Sequence, residues 1–269
     1  MKTIILSNEL SGAVVLILKI KGIIFDFGFT LAYFEEASLK KYLDCYKKGL
    51  QRSAEYLFQK KILKEESLRK QFIRKFNRLQ RTAFEKRSGG QHKEYPTSTL
   101  FQRLCSSMNL EQEIDEEIRE QLTELYHSCE QEEWIPFANT KTTLEKLSKI
   151  PHLKLAVLSN HPHHPMIQNV LRRYELLKYF DAVITSAEFG MRKPHVDIFE
   201  YTMKKMGLKK EDKEYTIMCG DEYADIMGAH RAGLRTVLIE REYKFPYEKD
   251  IPLKNIDQIK DISEILDLL

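Results

Sequence analysis

Polar side chains that could act in catalysis follow four short apolar stretches of this sequence. They are Asp26, Ser159 with Asn160, Lys193, and the pair Asp221 and Asp225. Carboxylates can serve as a nucleophile or as oxygen ligands of Mg2+, whereas a hydroxyl and a lysine ammonium group can hold phosphoryl oxygens. The set therefore indicates phosphoryl-group chemistry supported by a magnesium ion.

Each of these residues, taken alone, also has an ordinary structural explanation. Asp26 and Asp221 could sit in turns, and Asp225 could be the acid at the start of a helix. Ser159 could cap a helix, and Lys193 could be a surface lysine. A site is favoured over these explanations only if the residues meet in space, which depends on the elements that carry them.

These elements are predicted from the alternation of short apolar runs with amphipathic stretches. The run at 23–25 is a buried strand that ends at Asp26. Further strands are predicted at 153–158, 182–185, 215–219 and 235–239, and helices at 140–149, 165–176, 195–206, 224–232 and 262–268. The pattern predicts an α/β fold with a doubly wound parallel sheet and right-handed crossovers. Because ligands bind at the carboxyl edge of such sheets, the polar residues are predicted to meet there.

Residues 35–134 have a different character, because charged and apolar residues alternate there at helical spacing and strand-like runs are absent. We interpret this segment as a helical cap of about four helices, inserted after the first core strand. The core then comprises residues 1–34 and 135–269. Within it, residues 1–20 are an N-terminal extension, in which strands at 3–6 and 13–20 could form a hairpin through a turn at 8–12.

Composition and charge narrow the class of protein. The chain has 269 residues, 42% of them hydrophobic, and a formal net charge of +3. It can therefore bury a core and gives no reason to expect nucleic acid or membrane binding. The apolar run at 13–20 is too short to cross a membrane. None of the four cysteines lies in a CxxC motif, so neither a cysteine zinc site nor a disulfide is predicted, and a reducing, cytoplasmic location is expected.

Four segments resemble, in chain order, the four motifs of the haloacid dehalogenase-like (HAD) hydrolases. They are Asp26-Phe27-Gly28-Phe29-Thr30-Leu31, Leu158-Ser159-Asn160, Arg192-Lys193-Pro194 and Gly220-Asp221-Glu222-Tyr223-Ala224-Asp225. The helical segment 35–134 resembles the type 1 cap of that family. The resemblance covers the chain from residue 21 onward and implies a Rossmann-like core with the cap over the carboxyl edge of its sheet.

The resemblance also implies a role for each matched residue. Asp26 would attack phosphorus and form an aspartyl-phosphate, which splits the hydrolysis into two easier steps. Ser159, Asn160 and Lys193 would bind the phosphoryl group, and Lys193 would also keep Asp26 ionised. Mg2+ would be held by four groups, namely Asp26, the backbone carbonyl of Gly28, Asp221 and Asp225. We therefore expect Mg2+-dependent hydrolysis of a small phosphate monoester by a monomer or a homodimer.

Gly28 departs from the pattern of most phosphatases in this family. They have a second Asp at that position, which acts as general acid and then as base, a contribution of roughly a hundredfold or more. Its absence makes sugar-phosphate mutase chemistry unexpected and leaves three alternatives to a phosphatase. They are a 2-haloacid dehalogenase, which needs no metal, a phosphonate hydrolase, which uses a cap lysine, and a non-catalytic binding protein. The pattern of Asp221 and Asp225 is typical of a magnesium site and weighs against the dehalogenase.

Histidines and aromatic residues near the motifs are further candidates. His161, His163 and His164 are interpreted as part of an exposed loop before a helix. Such a cluster could also bind a metal, and His161 could supply a proton in place of the missing Asp. Glu222 or a residue of the cap is a further candidate for replacing that acid. Trp134 and Phe137 lie where the chain returns from the cap to the core, and we interpret them as hinge packing rather than substrate contacts.

Overall fold

The structure, a computed structural model, describes residues 20–87, 90, 92–241 and 249–269, together with the backbone of residues 4–5 and 15–16. Its first two strands, β1 (Ile4–Ile5) and β2 (Val15–Leu16), pair antiparallel. The turn predicted at 8–12 lies outside the described residues.

The remaining elements follow the predicted order of one strand, a helical segment and an alternating α/β segment. The strands are β3 (Gly22–Phe25), β4 (Ala32–Tyr33), β5 (Ile135–Pro136), β6 (Lys154–Ser159), β7 (Ala182–Thr185), β8 (Thr216–Gly220), β9 (Arg235–Ile239) and β10 (Asp257–Ile259). The helices are α1 (Leu39–Gln59), α2 (Glu66–Lys86), α3 (Thr97–Ser107), α4 (Glu116–Glu133), α5 (Thr140–Ser148), α6 (His164–Arg173), α7 (Ser186–Phe189), α8 (Val196–Lys205) and α9 (Tyr223–Ala232).

Six strands form one sheet in the order β10-β9-β8-β3-β6-β7, and every neighbouring pair is parallel. This confirms the predicted doubly wound parallel sheet. In the centre, β3 pairs with β6 on one side and with β8 on the other, so Phe25 lies opposite both Val157 and Cys219. The direction of winding therefore reverses beside β3. In parallel α/β sheets, the crevice at the carboxyl ends of the strands at such a point is where ligands bind.

Apolar side chains of the sheet point alternately to two faces, and helices cover both. Ile23 and Phe25 belong to the apolar cluster that includes residues of α5 and α6. Ile24 belongs to the cluster that includes residues of α8 and α9. Burial on both faces explains why the strands appear in the sequence as continuous apolar runs rather than as alternating ones.

Helices α1 to α4 have an apolar core of their own, to which Leu57, Phe76 and Phe101 contribute. α1 approaches α4 so closely at Gly49 that a Cβ there would lie 1.8 Å from the carbonyl oxygen of Tyr126. Any larger residue at this position would force the two helices apart. The predicted helices are thus present, whereas the assignment of residues 35–134 as a separate domain stays a prediction.

The chain passes between the sheet and the helical segment twice, and the two connecting stretches lie side by side. β4 pairs antiparallel with β5, with Tyr33 opposite Ile135. Phe137 stacks on Tyr33 with 4.8 Å between the ring centroids, and Trp134 packs edge-on against Phe34 at 4.3 Å. Trp134 and Phe137 therefore pack at this junction, whereas their role in a hinge stays a prediction.

Some elements differ from the prediction. The segment predicted as a helix at 262–268 is a 3-10 helix, and β10 was not predicted. β4 and β5 were missed because strands of two residues are too short to show a period. In the described part of the chain, no helix combines the length and the apolar character that crossing a membrane requires.

Cys45 on α1 and Cys129 on α4 form a disulfide, so the prediction that no cysteines pair is wrong. Their Cα atoms are 5.2 Å apart, although 84 residues separate them in the sequence. The packing of α1 on α4 brings them together, and no local motif could indicate this. The cytoplasmic location stays a prediction, and the disulfide removes the cysteine argument in its favour.

Candidate functional site

Three carboxylates meet at the carboxyl edge of the sheet, as the sequence predicted. Asp26 directly follows β3, and its amide donates to the carbonyl oxygen of Cys219 at the end of β8. Asp221 follows β8, and Asp225 lies in the first turn of α9. All three side chains are buried, and one carboxylate oxygen from each lies within 4.8 Å of the others.

Lys193 lies between two of these carboxylates. Its Nζ is 2.5 Å from Asp26 Oδ1 and 2.6 Å from Asp225 Oδ1, and it also donates to the carbonyl oxygen of Leu158 at 2.8 Å. These contacts use the three protons of the ammonium group. Lys193 is therefore held by β3, β6 and α9 at once.

The backbone of Lys193 is held by Asn160. The side-chain oxygen of Asn160 accepts from the Lys193 amide at 2.8 Å, and its nitrogen donates to the Lys193 carbonyl at 3.0 Å. Asn160 thus ties the loop after β6 to the loop that carries Lys193. A direct contact of Asn160 or of the neighbouring buried Ser159 with substrate stays a prediction.

Asp225 is oriented by the backbone of the turn before α9. Its Oδ2 accepts from the amides of Asp221 and Glu222, each at 3.2 Å, while Oδ1 faces Lys193. A Cβ at Gly220 would lie 2.4 Å from the carboxyl carbon of Asp225. Glycine at this position is therefore required by the close approach of the Asp225 side chain.

Burial and mutual repulsion make Asp26 and Asp221 hard to ionise. Burial raises the pKa of Asp26 to about 6, with Lys193 opposing the shift and Asp225 adding to it. Burial and the charge of Asp26 raise the pKa of Asp221 well above its ordinary value. The pKa of Lys193 rises above its ordinary value as well, because the carboxylates of Asp225 and Asp26 outweigh the opposing effect of burial.

This donor set fits a magnesium ion. The site offers only oxygen ligands. Once ionised, Asp26, Asp221 and Asp225 carry more negative charge than Lys193 and Arg241, which pairs with Asp221, carry positive charge. Hard divalent cations such as Mg2+ bind such oxygen-rich groups, usually through one or two carboxylates together with water and phosphate. A cation at this position would also oppose the burial and the mutual repulsion that raise the pKa of Asp26 and Asp221.

An aromatic ring lies against Gly28, the position at which most phosphatases of the matched pattern have a second Asp. A Cβ at Gly28 would lie 2.9 Å from Cη2 of Trp134. Trp134 is buried and packs edge-on against Phe27 and Phe29, with ring centroids 5.0 and 5.7 Å away. A side chain at position 28 would therefore require the indole ring to shift.

The loop after β6 is not exposed, so that part of the histidine prediction is wrong. His161 and His163 are buried because α4 lies against the loop. Nε2 of His161 is 3.3 Å from the Glu130 carboxylate, and Nε2 of His163 is 3.1 Å from Glu124. His164 is half-buried and contacts Thr185. Nε2 of His161 is thus directed at the helical segment.

One residue near the carboxylates was missed in the sequence. Arg241, two residues after β9, pairs with Asp221 and lies over the ring of Phe29 at 5.3 Å. It follows a strand end, which is the signal that found the other site residues and could have found this one. Glu222, a candidate replacement for the missing acid, has its pKa raised to about 7, first by burial and then by the charge of Asp225.

Comparison with known proteins shows which family the chain matches. Residues 23–239 match the family described as haloacid dehalogenase-like hydrolase. A glyceraldehyde 3-phosphate phosphatase from Methanothermobacter thermautotrophicus is 34% identical over 148 residues, which are 54% of this chain and 63% of that protein. A phosphoglycolate phosphatase from Photorhabdus laumondii is 32% identical over 133 residues, 49% of this chain and 53% of that protein. The matched stretches thus span little more than half the length of these relatives.

The fold has a counterpart among solved structures. A 2-haloacid dehalogenase from Pseudomonas syringae pv. Tomato DC3000 superposes with a TM-score of 0.63 over 93% of this chain and 97% of that chain. The two sequences are 18% identical, so the likeness concerns the fold alone.

Proposed function

Because the chain belongs to the haloacid dehalogenase-like hydrolase family, we propose that it is a magnesium-dependent phosphatase that acts on a small phosphate monoester. The observation that carries this proposal is the placement of Lys193 between Asp26 and Asp225 at the carboxyl edge of the sheet. The names of the two phosphatase relatives, which refer to small phosphorylated metabolites, support the same substrate class.

Asp26 is the proposed nucleophile. Its carboxylate attacks phosphorus, the bond to the leaving oxygen breaks, and an aspartyl-phosphate forms that water then hydrolyses. With a pKa of about 6, Asp26 is mainly ionised at neutral pH. Lys193 holds this carboxylate in place and offsets the negative charge of the phosphoryl oxygens. Ser159 and Asn160 complete the proposed phosphate site.

The proposed ligands of Mg2+ are Asp26, the backbone carbonyl of Gly28, Asp221 and Asp225. Bound there, the ion would neutralise phosphoryl charge and help to orient the substrate. The role of Asp225 is partly to position its neighbours, because its two oxygens contact Lys193 and the backbone amides after Gly220.

This site lacks, at position 28, the side chain that would protonate the leaving group. Gly28 has no ionisable side chain, and Trp134 covers its α-carbon. A leaving group that is stable as an anion needs no proton, whereas an alkoxide does. We therefore expect aryl phosphates to react much faster than alkyl phosphates of similar size.

The test is hydrolysis of p-nitrophenyl phosphate with and without Mg2+. We expect turnover that requires Mg2+ and that falls on the order of a thousandfold or more in Asp26→Asn, because the nucleophile is lost. Asp44→Asn, an exposed carboxylate of α1, is the matched control and should keep full activity.

Two results would refute the phosphatase proposal. Equal activity of Asp26→Asn and of the unaltered chain would exclude Asp26 as the nucleophile. Metal-independent release of halide from a 2-haloacid, with no phosphate release from any ester, would indicate a dehalogenase.

A further inference from the structure

A second group of possible metal ligands lies between α4 and the loop after β6. It consists of His127 and Glu130 on α4 and His161 in the loop, and we call it the His–Glu cluster. All three side chains are buried. Nδ1 of His127 is 3.0 Å from Glu130 Oε2, and Nε2 of His161 is 3.3 Å from both Glu130 oxygens. The cluster shares no residue with the three carboxylates of the candidate active site.

The outer nitrogen of each ring has its own partner. Nε2 of His127 lies 2.8 Å from the hydroxyl of Thr97. Nδ1 of His161 lies 2.8 Å from the carbonyl oxygen of His163 and 3.1 Å from its amide nitrogen. Metal-bound histidines are commonly held in this way, with the distal N–H donating to a carbonyl or another oxygen.

The tautomer of His161 decides what the cluster can hold. If Nε2 carries the proton, Nε2 donates to the Glu130 carboxylate and Nδ1 accepts from the amide of His163. If Nδ1 carries the proton, it donates to the carbonyl oxygen of His163 at 2.8 Å, and the lone pair of Nε2 faces Glu130. In this second tautomer, Nε2 and the carboxylate are both free to bind a metal ion placed between them.

The geometry fits zinc. Zn–N and Zn–O bonds of 2.0–2.2 Å place neighbouring ligand atoms of a tetrahedral site about 3.3 Å apart. The measured separations of 3.0 and 3.3 Å are close to this value, and all three ligand atoms lie within 4.8 Å of one another. Two histidines and one glutamate are a common zinc donor set, whereas Mg2+ prefers oxygen ligands alone.

We propose that the His–Glu cluster binds one Zn2+ ion and thereby ties α4 to the loop that follows Ser159. Glu130 and His127 come from the helical segment and His161 from the α/β segment. The ring of His163 stacks on that of His127 with 5.1 Å between centroids and forms one wall of the site. The ion would thus bridge the two segments at a place separate from the phosphoryl chemistry.

The test is metal binding by the full-length protein in excess Mg2+, which occupies the oxygen site. We expect one Zn2+ per chain to remain after desalting, measured by elemental analysis, and Co2+ to give the strong visible absorption of tetrahedral coordination. His161→Gln should lose both signals. His164→Gln, which replaces the first residue of α6 outside the cluster, should keep them. Thr97→Val should weaken binding roughly tenfold or more, because it removes an outer partner.

Several outcomes would overturn the proposal. One is equal retention of Zn2+ by His161→Gln and His164→Gln. Another is a weak, octahedral Co2+ spectrum in the unaltered chain, a result that stands even if the variants fail to fold. A near-ultraviolet sulfur-to-cobalt band would instead place the ion on cysteine thiolates, which Cys45 and Cys129 offer once their disulfide is reduced. Absence of Zn2+ binding altogether would identify the cluster as a hydrogen-bonded network that holds no metal.

Discussion

Replacement of Gly28 by alanine tests whether Trp134 occupies the space of the missing acid. The new methyl group would lie 2.9 Å from Cη2 of Trp134, well inside van der Waals contact. The indole cannot move away freely, because it is 2% exposed and is packed among Phe27, Phe29 and Phe34. Overpacking of this kind typically costs about 1–3 kcal/mol, so we expect the free energy of unfolding of Gly28→Ala to fall by that amount.

A double-mutant cycle with Trp134→Phe makes the prediction specific. Phenylalanine lacks the outer ring atoms that clash, so Trp134→Phe alone should lose stability through the cavity that it leaves. The methyl group of Gly28→Ala should partly fill this cavity. The double variant should therefore be more stable than the sum of the single effects by at least about 1 kcal/mol.

Urea unfolding followed by circular dichroism measures the four free energies of the cycle. Additive effects, or a Gly28→Ala variant as stable as the unaltered chain, would show that the indole does not block position 28. In that case the absence of an acid there would need a different explanation. If the coupling is found, Gly28→Asp alone should not restore a general acid, because its carboxyl group has no room to reach the substrate.

Two further predictions concern the rest of the fold. The pKa of Glu94 is lowered to about 2 because, against the opposing effect of burial, Arg192 and Arg87 stabilise its charge. Since its folded-state pKa is below the unfolded value, Glu94 should contribute about 3 kcal/mol above pH 4.5 and lose this contribution as pH falls toward 2. The stability difference between the unaltered chain and Glu94→Gln should shrink over that range in thermal scans, and a constant difference would contradict the ion-pair explanation. Reduction of the Cys45–Cys129 disulfide should cost about 2–4 kcal/mol, since it closes a long loop. Cys45→Ser should show no response to reductant, and equal sensitivity of both proteins would place the effect elsewhere.

The site could be predicted where a polar residue follows an apolar run and the parallel sheet brings the ends of such runs together. Asp26, Asp221 and Lys193 follow apolar runs or lie soon after them, and parallel sheets bring the ends of such runs to one edge. The disulfide and the burial of His161 depend on how α4 packs, which no local pattern specifies. Arg241 follows a strand as the others do, but it was overlooked because it lies outside the four matched motifs.

The sequence shows only that Gly28 lacks the usual acidic side chain. The structure shows that the ring of Trp134 lies against this glycine. The ring of Trp134 comes from a residue 106 positions later in the chain, and its contact with Gly28 depends on the pairing of β4 with β5. Long-range contacts of this kind are set by tertiary packing and have no local signature.

The fluorescence of Trp134 can also report on this part of the structure. It is the only tryptophan in the sequence, it directly precedes β5, and its ring covers the α-carbon of Gly28. Indole emission depends on the polarity and packing around the ring, so the intrinsic fluorescence of the chain comes from the junction where the helical segment meets the sheet. Ligand binding, or rotation of the two crossing strands, would register there as a change in emission without any attached dye.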